Sequence, residues 1–126
     1  MKKLLALCVL ALVLIPVLSL EARPAATVLQ VFPGWHDLIT NGGTYSYLDF
    51  SITVSNARVK PNSESFDLAL SGEVTGTGTG HGRTTYDRYY SGWYTVGDWT
   101  VRTASGRVSG TYVVDLDADV VTFYVR

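Results

Sequence analysis

The sequence predicts an all-β protein: an antiparallel sandwich or a small meander barrel of about 7–8 strands, preceded by an N-terminal hydrophobic signal helix. Three observations carry this expectation. Apolar residues alternate with period two through most of the chain after residue 44. Turn-forming clusters interrupt that alternation every 8–12 residues or so. No segment after residue 22 keeps a helical period.

The N-terminal segment reads as an address. Met1-Lys2-Lys3 is basic, and Leu4 to Leu20 contains no charge. A basic start followed by an apolar core is the pattern of a secretory signal peptide. Pro16 breaks the helix near its end, which favours an extended, cleavable stretch. Cleavage is expected after Ser19 or after Ala22, although neither is a clean Ala-x-Ala site. The run is also about as long as the ~17–25 residues of a spanning helix, so an uncleaved anchor is the competing reading. A lipidated Cys8 is disfavoured by Leu7, which is too large for the preceding position. Residues 1–22 are therefore set apart as the signal segment, 23–44 as an extension with a first strand and a loop, and 45–126 as the β domain core.

Setting that segment aside changes the arithmetic. The 126 residues carry 10 Lys+Arg and 11 Asp+Glu. Such neutrality excludes a nucleic-acid binder that works by phosphate neutralisation. The single Cys lies in the signal segment, so the remainder has no disulfide, thiolate metal site or cysteine nucleophile. An exported protein is expected, placed extracellularly, in a periplasm or at the cell surface, touching a membrane only through an uncleaved N-terminus.

The strands follow in order. Pro33–Thr40 is the best helical candidate and is expected to be one turn or a loop. Asn41-Gly42-Gly43 is a turn. Over Tyr45–Ser55, Leu48, Phe50, Ile52 and Val54 share one face, as in a half-buried strand. After Lys60-Pro61-Asn62-Ser63, the residues Phe66, Leu68, Leu70, Gly72 and Val74 repeat the pattern. Gly97-Asp98 reads as a turn, and Ala104-Ser105-Gly106 as a tight hairpin turn. Two strands, centred on Tyr112 and Phe123, flank a last turn at Asp117-Ala118-Asp119. They are apolar on both faces, so cover on both is expected. Gly72, Gly92 and Gly110 read as bend points in a rolled sheet. Arg107–Tyr112 is similar to one strand of streptavidin-like barrels, but six residues of β-forming composition assign no family.

Candidate chemistry is sparse. Gly76–Thr85 looks phosphate-friendly, but His81 stands where a dinucleotide loop needs Gly, and a P-loop Lys is missing. The expectation there is a flexible hairpin tip or linker. Asp115, Asp117 and Asp119 have the spacing of the first calcium-loop ligands, but Val120 and Arg126 occupy the positions of the required Gly and Glu. His36 and His81, 45 residues apart, have no nucleophile elbow or metal-ligand spacing to support them. No enzyme, no cofactor, no metal site and no catalytic residue are expected.

The best lead is aromatic. Tyr86, Tyr89, Tyr90, Trp93, Tyr94 and Trp99 fall within 14 residues. Flat rings with polar edges suit sugar stacking or protein contact. These six are the candidate ligand-binding residues of a non-enzymatic module, with a glycan or a protein at the cell surface as partner. The alternative is a small barrel that encloses an apolar ligand, or a protease-inhibitor-like barrel.

Overall fold

A computed structural model describes residues 27–126. The signal segment, its cleavage points and Cys8 lie outside the described residues. Eight strands are present: β1 (Thr27–Pro33), β2 (Gly43–Tyr47), β3 (Phe50–Lys60), β4 (Ser63–Ser71), β5 (Gly76–Asp87), β6 (Gly92–Thr103), β7 (Gly106–Asp115) and β8 (Val120–Val125). One helix, α1 (Trp35–Asn41), lies between β1 and β2. All strands join one antiparallel sheet in the order β1-β8-β7-β6-β5-β4-β3-β2. The chain is thus a meander from β2 to β8, with β1 beside the last strand. This is a single sheet curled into a half-barrel, not two packed sheets, so the sandwich expectation gives way to the barrel-like one. A meander buries one apolar face by curling that face on itself.

The core lies on the concave face. It contains Phe32, Trp35, Ile39, Phe50, Ile52, Val54, Phe66, Leu68, Leu70, Trp99, Val101, Tyr112, Val114, Val121 and Phe123. Trp35 sits at its centre, with ring centroids 5.4 Å from Phe66, 5.5 Å from Tyr112 and 5.7 Å from Phe123. The free edges of the sheet are β1 and β2, and Phe32 of one stacks on Tyr45 of the other at 4.2 Å. Residues 27–44 therefore share the core of residues 45–126.

Five local expectations change. The Tyr45–Ser55 run is two strands, because the chain turns at Leu48-Asp49. Leu48 takes a positive φ of 53° and is 86% exposed, off the face that Phe50, Ile52 and Val54 bury. The fourth strand stops at Ser71, so Gly72 and Val74 lie in the following loop. Gly97-Asp98 is no turn, because β6 runs through it and pairs on both sides. Pro33–Thr40 holds a real helix, whose buried residues are Trp35 and Ile39. Tertiary burial of those two side chains stabilises a seven-residue helix that is marginal alone.

The fifth change concerns Gly76–Thr85, which is a central strand and not a flexible tip. Gly76, Gly78, Gly80 and Gly82 alternate with Thr77, Thr79, His81 and Arg83, so the concave face of β5 is bare from Gly76 to Gly82. Across the ladder, Gly80 lies between Phe66 of β4 and Trp99 of β6, and Gly82 between Glu64 and Gly97. The large neighbours fill the space above the bare strand. A Cβ on Gly80 would lie 2.7 Å from Phe66 Cε2. Small residues facing large ones let the sheet curl tightly without a void.

The acidic turn between β7 and β8 is used structurally. Asp115 Oδ1 accepts from the backbone N–H groups of Asp117 and Ala118, at 3.0 and 3.2 Å. Asp119 accepts from Gly34 N through its carbonyl and from His36 N through Oδ1, both at 2.9 Å. An Asx turn and a helix-start cap account for two of the three carboxylates.

Candidate functional site

The aromatic residues gather where the β5–β6 hairpin projects. Pairing of β4 with β5 ends at Ser63 and Arg83, while β5 and β6 stay paired out to Asp87 and Gly92. The hairpin tip thus extends past β4. Its turn is closed by Asp87, whose Oδ1 accepts from Tyr89 N at 2.8 Å and Tyr90 N at 3.1 Å. Ser91 takes a positive φ of 53° to complete the reversal.

The tip displays rings in two groups. Tyr86 and Trp93 are paired across the ladder, edge to face at 5.4 Å. They share the concave side with the glycine stripe but lie beyond the core, so Trp93 is 50% exposed. Tyr94 faces the convex side, with Tyr90 at 6.3 Å and Tyr89 a further 4.8 Å from Tyr90. Tyr89 is 85% exposed. The expected aromatic sheet face is therefore a hairpin tip, bearing five of the six named residues.

Trp99 is the exception. It is 1% exposed, and its Nε1–H is shared between the carbonyls of Thr111 and Tyr124, at 3.1 and 3.0 Å. A buried indole with its donor satisfied fills the core. Trp99 shares a face with Trp93, but it sits three ladder steps of that face deeper, where the sheet curls over it.

The tip has neighbours that no local pattern in the sequence announces. Leu116 N donates to Trp93 O at 3.1 Å, so the β7–β8 turn lies against the base of the hairpin. Burial first, and then the carboxylates of Asp115, Asp87 and Asp117, push the Tyr94 phenol above its ordinary pKa. At neutral pH that hydroxyl is a neutral donor and acceptor beside three carboxylates. Only the β6–β7 register brings Asp115 opposite Tyr94.

A second polar cluster lies deeper at the same end of the half-barrel. Glu64 Oε2 accepts from Tyr112 Oη at 2.6 Å and from Trp35 Nε1 at 3.1 Å. Thr84 and Thr95 hydroxyls pair beside it at 3.0 Å. Burial pushes the Glu64 carboxyl above the ordinary glutamate value, and the two donated hydrogen bonds oppose that shift without cancelling it. The folded state therefore holds the Glu64 proton more tightly than the unfolded chain does. Stability from this group is greatest below the ordinary glutamate pKa and falls as pH rises through the raised one. In urea melts at stepped pH from about 4 to 7, Glu64→Gln is expected to flatten that fall. An unchanged pH profile would show that the carboxyl is not the source.

Among the described residues, no group of three or more His, Cys, Asp or Glu is placed to hold a metal ion. His36 lies on α1, and His81 on the convex face of β5. The described chain has no helix long and apolar enough to cross a membrane. No family model, no curated protein and no solved structure matches the chain.

Proposed function

We propose that this chain is an exported, non-enzymatic β domain that binds a glycan through the tip of the β5–β6 hairpin. The N-terminal Lys-Lys and apolar run support export. The observation that carries the binding reading is the half-exposed Trp93, in T-shaped contact with Tyr86 and held on a paired ladder. A half-exposed indole on a paired scaffold is a preorganised surface for stacking. On the other side of the same hairpin, Asp87 and Asp117 stand near Tyr94 as acceptors for sugar hydroxyls. The concave interior is occupied by the protein's own rings, so the enclosed-ligand alternative gains no support there.

Trp93→Ala is expected to weaken retention on cell-wall polysaccharide by tenfold or more, which is about 1.4 kcal/mol. The fold should change little, within about 1 kcal/mol, because the side chain lies outside the core. The checks are a glycan array, a cell-wall pull-down and a thermal melt of the same variant. Absence of any glycan binding, or equal binding by Trp93→Ala, would reject the reading.

A further inference from the structure

The register assembles a second surface on the convex face, out of residues scattered along the chain. Lys60, Ser63 and Arg83 lie in one cross-strand row over β3, β4 and β5, while Arg58, Ser65 and His81 form the next. These six line a groove of about 540 Å³. Neighbouring strands lie about 4.8 Å apart, and alternate residues about 6.8 Å along a strand. Lys60 and Arg83 therefore start about 10 Å apart, with Arg58 about 7 Å along the same strand from Lys60.

The charge of this groove runs against that of the protein. Residues 27–126 carry seven Lys or Arg and ten Asp or Glu. Three of the seven cations nevertheless converge here, and none of them has an ion pair among the described residues. The acidic lining is weak. Glu64 turns its carboxylate to the opposite face, towards Tyr112 and Trp35. Asp98 pairs with Arg126 at 3.4 Å. What the groove presents is guanidinium, ammonium and hydroxyl donors, the chemistry that recognises oxyanions. Along β6 it ends one outward-facing step short of Tyr94, since Val96 pairs with Arg83. Trp93 and Tyr86 lie round the hairpin on the concave side, and Asp87, Asp115 and Asp117 stand beside Tyr94.

We infer that the ligand is an anionic oligosaccharide whose sulfate, phosphate or carboxylate groups lie in the Arg58–Lys60–Arg83 groove, while an uncharged sugar unit beyond them turns round the hairpin to the aromatic tip. This rests on the glycan reading above and specifies its chemical class. The rings meet uncharged sugar faces, where Asp87 and Asp117 accept from hydroxyls, and the cations meet the charged substituents. Long-range attraction of this kind is screened by salt, so retention should fall steeply as ionic strength rises.

The test is calorimetric titration of the secreted chain with a sulfated, a polyuronate, a phosphorylated and a neutral oligosaccharide of equal length. Two double variants carry the same charge change: Arg58→Gln with Arg83→Gln in the groove, and Arg102→Gln with Arg107→Gln near the β6–β7 turn. All four side chains are exposed, so circular dichroism and melting should match the parent. The expected result is at least tenfold tighter binding of one anionic oligosaccharide than of the neutral one. The groove variant should lose tenfold or more, and the other variant less than twofold. The anionic arm that binds most tightly identifies the substituent. Equal binding of neutral and anionic sugars, still weakened by Trp93→Ala, would overturn this inference and leave the glycan reading standing. Binding of no sugar would overturn both. Equal losses in the two double variants, tighter binding of free inorganic sulfate or phosphate, or preference for phosphatidylserine vesicles would each overturn the groove assignment.

Discussion

Gly78→Ala is expected to cost about 3 kcal/mol and to lower the melting temperature by more than about 12 °C. The added methyl would run into the carbonyl oxygen of Thr100 and would stand 2.7 Å from Cα of Val101. Both obstacles are backbone of β6, the strand hydrogen-bonded to β5, so no side-chain rotation relieves the clash. The β5–β6 pairing must open locally, and the rings packed beside the stripe lose contact. The neighbouring Thr79→Ala is the control. Thr79 faces solvent on the convex side, and its loss should cost within about 1 kcal/mol. The measurement is chemical denaturation of the two variants and the parent. Equal midpoints for all three would show that β5 does not lie bare-faced against β6.

Trp35→Ala is expected to cost about 3–5 kcal/mol. The indole is 2% exposed and meets Phe32, Phe66, Tyr112 and Phe123. Two effects add. The cavity lies at the centre of the core, where the curled sheet has little freedom to collapse. Glu64 also loses one of its two donors while staying partly buried. Trp35→Phe separates them: it keeps most of the apolar volume, removes the N–H, and should cost about 1–3 kcal/mol. Trp35 also anchors α1 across the gap between the free edges β1 and β2. Hydrogen exchange at Leu38 and Gly42, whose amides donate to Gly34 O and Leu38 O, should therefore accelerate in Trp35→Ala more than exchange in β6 or β7. Uniform acceleration over the whole chain would mean that the helix has no separate opening.

Much of this fold is legible in the sequence, and the failures share one cause. The alternation at Ile52 and Val54, Phe66 to Leu70, and Tyr112 to Val114 identifies strands and their buried faces, because period two maps directly onto the two sides of a sheet. The turns at Pro61-Asn62, Ala104-Ser105 and Asp117-Ala118 are found because their chemistry is local. The glycine stripe is misjudged because composition and period point in opposite directions. Four glycines in seven residues read as flexibility, while their strict alternation with Thr, His and Arg is the signature of a strand with one bare face. A bare face is stable only when Phe66 and Trp99 from adjacent strands cover it, and that depends on register.

The candidate site divides in the same way. The exposed rings at 86–94 belong to one hairpin, so a local reading finds them. Trp99 looks equivalent to Trp93 in the sequence, because both have the same parity on the same strand. Depth in the half-barrel separates them, and depth depends on where β4 ends beside β5 and β7 ends beside β6. Arg58, Lys60 and Arg83 carry no shared motif, and only the pairing of β3 with β4 and β4 with β5 places them together.

The sequence by itself determined the strand content, most turns and the buried alternation, since each follows from interactions among residues close along the chain. It also carried the apolar, basic-headed start on which the export proposal rests. Tertiary structure alone decided that one sheet curls on its own glycine stripe, that Trp35 and Trp99 fill its interior, and that three cations meet outside it. Those outcomes depend on which strands pair and in what register, a sum of contacts between residues far apart in the chain.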